Sequence, residues 1–130
     1  MIRMGTERKK KILFVEDEAD LVALMKPRLE SMGFEMLSSL DGKDGLKTAI
    51  AEKPDLIIMD ILMPKMNGYE VCEKLKKNPV TKDIPVIILT AAGATNLEES
   101  SKLAGAADCL NKPYNPAELV MKINRLLTKG

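Results

Sequence analysis

An α/β fold built on a doubly wound parallel sheet is what this sequence predicts, and three observations predict it. Apolar runs at 12–15 (ILFV), 56–59 (LIIM) and 86–89 (VIIL) are continuous rather than alternating, as in strands buried on both faces. The longer segments between them carry helix start signals. Strand and helix patterns alternate five times over 130 residues without repeats, low-complexity segments or a linker, which argues for parallel strands connected through helices on both faces of one sheet. The length suits one domain with a single core.

Taken in order, the first strand is ILFV, and the first helix follows with Leu21, Leu24 or Met25, Leu29 and Met32 on one stripe. Gly33 ends that helix as a left-handed C-terminal residue. Pro27 lies inside the pattern, removes the bond to the carbonyl of Ala23, and predicts a kink. A weaker run from Phe34 to Leu37 is the second strand. Asp41 caps the second helix, which passes through Leu46 and Ile50. After LIIM, Asn67 followed three residues later by Glu70 opens the third helix. Residues 79–85, bounded by two prolines, form an ordered connection into VIIL. Thr95 with Glu98 opens the fourth helix, where Ser100, Ser101 and Lys102 separate Leu97 from Leu103, so it is expected to dock most loosely. A short strand around Cys109 and Leu110 is the fifth. Asn115 with Glu118, and Pro116 at the first helical position, open a last helix striped by Leu119, Ile123 and Leu126. Met25, Met32, Met36, Met59 and Met63 fall on apolar faces or strand ends and read as packing.

Composition narrows the function. Hydrophobic residues make up 45% of the chain and charged residues 30%, ordinary for a soluble globular domain. Twenty basic against nineteen acidic residues leave a net charge of +1, which argues against a dedicated nucleic-acid binder. Without histidine there is no His general base, no His-containing triad and no Cys2His2 zinc site. No apolar stretch approaches the ~18 residues of a membrane span, and MIRMGTERKKK has no apolar core for a secretory signal. Cys72 and Cys109 form no CxxC pair, so the expectation is a cytoplasmic protein with two small buried thiols. The expected organisation is a tail over 1–10 and a domain over 11–128.

In an open α/β sheet, ligands bind outside the carboxyl ends of the strands. Glu16 and Asp17 follow the first apolar run, Asp60 the third, Thr90 the fourth and Lys112 the fifth. Any one of these alone reads as a cap, a turn or a surface residue; together they gather at one edge. Three neighbouring carboxylates repel, so one must hold a proton or a cation must join them. Oxygen-only ligands favour a hard cation, Mg2+ before Zn2+, with waters and a phosphate completing its shell. Lys112 and Thr90 then serve as a point charge and a hydrogen-bond donor for phosphoryl oxygens. With no Ser–His or Cys–His pair, the nucleophile is a carboxylate, and Asp60 at the centre of the sheet is placed to become an aspartyl phosphate.

ILFVEDE, LIIMDILMPKMNGYE, PVIILTA and AGAADCLNKPYNPAEL together resemble the receiver domain of two-component response regulators, from about Lys11 to Leu127. The resemblance implies a CheY-like, flavodoxin-like (βα)5 fold with strand order 2-1-3-4-5, and phosphorylation at Asp60. It implies Mg2+ held by Asp17 directly, by Glu16 through water, by Asp60 and by the backbone carbonyl of Leu62. Thr90 and Lys112 would bind the phosphoryl group, and Lys112–Pro113 would be cis. A sensor histidine kinase or a histidine phosphotransfer protein would be the donor. A downstream protein, rather than nucleic acid or a membrane, would read the face formed by the fourth helix, fifth strand and fifth helix. A single-domain, chemotaxis-type or relay-type regulator is expected, not an enzyme; a fragment of a larger hybrid kinase or regulator is the alternative.

Two departures from the family pattern bear on mechanism. Cys109 stands where receivers carry Tyr or Phe as a switch residue, so a signal from Thr90 is expected to travel by packing alone. Leu62 and Ala92, flanking the path of an attacking water, cannot orient it, which predicts slow self-dephosphorylation. A Mg2+-dependent phosphohydrolase on the same fold is the competing reading, but Asp60-Ile61-Leu62 offers no second carboxylate. A nucleotide binder is weaker still, because neither GxxxxGK nor GxGxxG follows the first strand. Asp41-Gly42-Lys43-Asp44-Gly45 is a loop and helix cap rather than a calcium loop, since it lacks the terminal bidentate Glu.

Overall fold

The structure is a computed structural model that describes residues 9–61, 67–90 and 97–128. Ten elements follow one another: β1 (Lys11–Val15), α1 (Ala19–Ser31), β2 (Glu35–Ser39), α2 (Gly42–Glu52), β3 (Leu56–Asp60), α3 (Gly68–Lys77), β4 (Val86–Thr90), α4 (Leu97–Ala104), β5 (Asp108–Asn111) and α5 (Pro116–Thr128). All four strand pairings are parallel, in the order β2-β1-β3-β4-β5. No helix among the described residues is long and apolar enough to cross a membrane.

The continuous apolar runs became the strands covered on both sides. Every residue of β3 and β4 is buried, as are four of the five in β1. Alternation divides these strands between two clusters, so the single core expected from the length is instead two, one on each face of the sheet. Leu13, Val15, Ile57, Met59, Val86 and Ile88 face a cluster with Val71, Cys72 and Leu75 of α3. Ile12, Phe14, Leu56, Ile58, Ile87 and Leu89 face a cluster with Met25 and Leu29 of α1 and Leu119 and Ile123 of α5. β2 and β5 are the edges and are only partly buried. β2 begins one residue later than the apolar run suggested and extends to Ser39, because its register against β1 pairs Lys11 with Glu35 and Val15 with Ser39.

The caps formed largely as anticipated. Asp41 accepts a hydrogen bond from the Asp44 N–H at 2.7 Å, and Asn67 accepts one from Glu70 at 3.0 Å. Pro116 opens α5, with Asn115 accepting from the Ala117 N–H at 2.9 Å. Gly33 has φ +93° just past the C-cap of α1, the left-handed conformation that a side chain resists. α1 runs through Pro27 as one helix. Ala23 and Pro27 both lie on its exposed side, where water can satisfy the carbonyl freed by the proline. Residues 79–85 are an ordered connection: buried Thr81 donates its hydroxyl to the Leu75 carbonyl at 2.7 Å, and Lys76 Nζ donates to the carbonyls of Lys82 and Ile84.

Three faces differ from their periodicity. α1 buries Met25 and Leu29 but leaves Leu24 and Met32 exposed. α2 turns its small residues, Gly42, Gly45 and Ala49, toward the sheet, while Leu46 and Ile50 are half-buried. A Cβ on Gly45 would lie 2.8 Å from Val15 Cγ1, so α2 approaches β1 more closely than a larger side chain allows. In α4, Leu103 is 80% exposed whereas Ser101 is buried, the reverse of a simple apolar ranking. The proposed caps Thr95 and Glu98 of α4, the packing of Met63, and the water-path residues Leu62 and Ala92 fall outside the described backbone or side chains.

Candidate functional site

The carboxyl ends of the strands carry the chemistry, and backbone bonds beyond each strand hold it there. The Glu16 N–H donates to the Ser39 carbonyl at 3.0 Å, that of Ile61 to Leu89 at 3.0 Å, and that of Lys112 to Thr90 at 2.6 Å. Register puts Val15 beside Met59 and Asp60 beside Leu89, so Glu16 and Asp60 lie at one level, with Thr90 one residue further along β4. The Lys112–Pro113 peptide is cis. Gly68 closes the third loop: its N–H donates to the Ile61 carbonyl at 2.9 Å, and a Cβ there would collide with the Asp60 carbonyl oxygen. Only glycine lets α3 begin against the backbone that presents Asp60.

Three of the carboxylates expected at this edge converge. One oxygen from each of Glu16, Asp17 and Asp60 lies within 4.8 Å of the others. Glu16 and Asp60 are buried and Asp17 is exposed, which leaves the cluster open on the Asp17 side. The positive charge the cluster requires comes from Lys112. Its Nζ stands 3.0 Å from each of Glu16 Oε1, Glu18 Oε1 and Asp60 Oδ2. The contacts to Glu18 and Asp60 are aligned hydrogen bonds. The contact to Glu16 is an ion pair, and among the described residues the buried Glu16 Oε1 has no hydrogen-bond partner. The other Glu16 oxygen accepts from the Glu18 N–H at 3.2 Å.

Electrostatics follow from this arrangement. Burial pushes the Glu16 carboxyl up to about 7; the Lys112 amine works against that shift and the Asp60 charge reinforces it. For Lys112, burial disfavours the ammonium, but Glu16, Glu18 and Asp60 outweigh it and hold its pKa above the ordinary lysine range. The cluster thus meets its repulsion in both ways open to it, with an ammonium at its centre and a carboxyl able to keep a proton near neutrality. Exposed Asp17 and the buried carboxylates of Glu16 and Asp60 form an all-oxygen donor set. That set fits a hard divalent cation, whose remaining positions water would fill.

Thr90 is buried at the end of β4, one residue beyond the partner of Asp60. The Leu62 carbonyl lies outside the described residues. Cys109 is half-buried rather than enclosed and packs against the α3-side core, beside a surface cavity of about 450 Å3 that Ser101 and Ala106 also line. Two site residues escaped the sequence reading. Glu18 was visible as the third member of an acidic triplet, but only the fold shows it sharing a lysine 94 positions away. Tyr114, two residues after Lys112, has a buried hydroxyl without a hydrogen-bond partner among the described residues, and its place beside a site lysine was the only signal.

Comparison with known proteins agrees with this geometry. Residues 12–124 match the response regulator receiver domain family. A probable transcriptional regulator, ycf27, of Cyanophora paradoxa is 39% identical over 121 residues, covering 93% of this chain and 49% of that protein. The chain spans about half the length of the curated relatives it matches. A response regulator crystal structure from Chloroflexus aurantiacus superposes with a TM-score of 0.88 at 30% identity, covering 94% of this chain and all of the other. The receiver domain of a sensor histidine kinase from Pseudomonas aeruginosa PAO1, crystallised with a magnesium ion coordinated in its active-site cleft, superposes at 0.84 with 28% identity, over 94% of this chain and 100% of that one. With the sheet order, the acidic rim and the central lysine all in place, the chain belongs to the response regulator receiver domain family, whose members are signalling modules and not true enzymes.

Proposed function

We propose that this domain takes a phosphoryl group from the phosphohistidine of a sensor histidine kinase, or of a histidine phosphotransfer protein, onto Asp60. The observation that carries the proposal is the convergence of Glu16, Asp17 and Asp60 at the carboxyl rim of the sheet, with the Lys112 amine 3.0 Å from Glu16 and from Asp60. An Asp60 carboxylate oxygen attacks phosphorus in line; the new O–P bond forms as the P–N bond breaks, and the electron pair leaves on the imidazole nitrogen. Lys112 compensates the charge on the phosphoryl oxygens, and the Thr90 hydroxyl donates to one of them. Asp17, Asp60, Glu16 through water and the Leu62 carbonyl would hold Mg2+, which when bound would offset the negative charge of the carboxylates and the incoming phosphoryl group.

Phosphorylation adds about −1.5 to −2 charges at neutral pH. The added charge shifts a pre-existing equilibrium on the face of α4, β5 and α5, where a downstream protein docks. Cys109 cannot gate this face as an aromatic ring would, so the change from Thr90 is passed on by packing. We place the domain in the cytoplasm, and its near-neutral charge supports a protein reader over direct nucleic-acid contact. The half-length match supports a second setting, in which this receiver is part of a longer regulator whose other half carries the output.

Incubation with Mg2+ and acetyl phosphate followed by intact-mass measurement tests the central step. The expected result is one added phosphoryl group on the wild type and none on Asp60→Asn. An equal gain in both proteins overturns the assignment of Asp60, and turnover beyond one phosphate per chain favours the hydrolase reading.

A further inference from the structure

We propose that Glu18 is a positioning residue for the phosphoryl-binding lysine. Its carboxylate keeps hold of the Lys112 ammonium when Glu16 and Asp60 give it up, and so aims the remaining N–H donors at the phosphoryl oxygens. The inference deepens the phosphoacceptor reading above and rests on it. Lys112 Nζ stands 3.0 Å from one oxygen of each of Glu16, Glu18 and Asp60. Glu16 and Asp60 belong to the oxygen set that suits a divalent cation, whereas Glu18 does not. Once Asp60 is phosphorylated, one of its oxygens is bonded to phosphorus and the other lies in the metal shell, which Glu16 faces through water. Of the described carboxylates on Lys112, Glu18 is the one with no second task. An ammonium has three N–H donors, so one can stay on Glu18 while the others meet the phosphoryl group.

The backbone of Glu18 is held on both sides. It is the N-cap residue of α1, yet its side chain makes no capping hydrogen bond to its own helix. Its carbonyl accepts from the N–H groups of Leu21 at 3.1 Å and Val22 at 3.3 Å, and its own N–H donates to Glu16 Oε2 at 3.2 Å. Buried Met25 and Leu29 fix α1 to the sheet. The carboxylate therefore stands on a fixed base and meets Lys112 in an aligned hydrogen bond. Lys112 is anchored at its backbone, whose N–H donates to the Thr90 carbonyl at 2.6 Å. Its charge rides on a flexible four-carbon stem, so without a fixed acceptor the ammonium loses its direction. The Glu18 side chain is 60% exposed, so water screens its repulsion of the phosphoryl group, while the short contact to the ammonium persists. Positioning outweighs repulsion.

The test is NMR titration with beryllofluoride, a mimic of the acyl phosphate, at saturating Mg2+ on the full 15N-labelled chain. It reads both the affinity and the order parameter of the Lys112 ammonium. Glu18→Ala removes the acceptor and is expected to weaken beryllofluoride binding about fivefold, the upper range for a largely exposed pair. Glu18→Gln removes the charge but keeps an accepting oxygen, and its affinity should stay within about twofold of the wild type. The ammonium order parameter in the bound state should fall in Glu18→Ala and recover in Glu18→Gln; a role confined to the start of α1 would leave it unchanged. Equal or tighter binding by Glu18→Ala, a loss without a change in ammonium order, or an equal loss in Glu18→Gln overturns the proposal. A wild type that binds no beryllofluoride overturns the phosphoacceptor reading instead.

Discussion

Raising the pH should destabilise the metal-free protein across a range where most domains of this size change little. Glu16 is the reason. Buried beside Asp60, it keeps its proton in the folded state up to about pH 7, against an ordinary value of 4.5 that the unfolded chain recovers. Between those limits the folded state binds more protons than the unfolded one, so stability falls as pH rises, and the loss is complete above about 7. At roughly 1.4 kcal/mol per pH unit, the gap is worth on the order of 3 kcal/mol. Lys112 does not offset this slope. Its raised pKa contributes stability that is fully present below the ordinary lysine value of 10.5, so it is constant between pH 5 and 8. The background is clean because the chain has no histidine, the side chain that usually titrates in this window. The assay is urea unfolding followed by circular dichroism in EDTA at half-unit steps from pH 5.5 to 8, on wild type and Glu16→Gln. Wild type should lose roughly 2 kcal/mol over that span while the variant stays nearly level. Parallel profiles for the two proteins refute the reasoning, because they would show that the Glu16 proton is not what the fold retains.

The same proton competes with a metal ion. Mg2+ affinity measured by calorimetry should weaken about tenfold from pH 8 to pH 6, with release of up to one proton on binding. Lys112→Met leaves Glu16 and Asp60 without their cation and should cost about 2 kcal/mol at pH 8 without metal. That is less than the full cost of an orphaned buried charge because Glu16 can take up a proton, and added Mg2+ should recover part of it in the same urea assay. Gly68→Ala pushes a methyl group into the Asp60 and Ile61 backbone, which cannot rotate away as a side chain would. A loss of about 2 kcal/mol or more and slower labelling by acetyl phosphate are expected; a neutral melt would show that the loop yields. In native protein at pH 8, a disulfide reagent should modify half-buried Cys109 first. Cys72, fully buried and pushed up to about 11, should react only on unfolding, and simultaneous reaction of both thiols contradicts this.

The order of elements was legible because two-sided burial leaves a mark on composition. A strand covered by helices on both faces has no position for a polar side chain, so β1, β3 and β4 stood out as unbroken apolar runs. The edge strands β2 and β5 keep one flank near solvent, and their ends were correspondingly less sharp. The acidic rim was legible for a related reason: each run stops at the carboxyl end of its strand, and the next residue is the one at the site. Helix faces were harder to read. Leu103 points outward while Ser101 is buried, and α2 meets the sheet through Gly42, Gly45 and Ala49, because the nearest neighbour, rather than hydropathy, decides which side fits.

Local chemistry along the chain was enough to name the carboxylates, the lysine and the sheet that presents them. It could not show that one ammonium is shared by Glu16, Glu18 and Asp60, or that Glu16 and Asp60 are buried while Asp17 beside them stays exposed. Those facts depend on distances of a few ångströms between groups up to 94 positions apart, set by how five strands align and how closely the helices approach them. Electrostatic and hydrogen-bond energies change steeply over such distances and with burial, so the pocket's charge balance emerges only once the chain is packed.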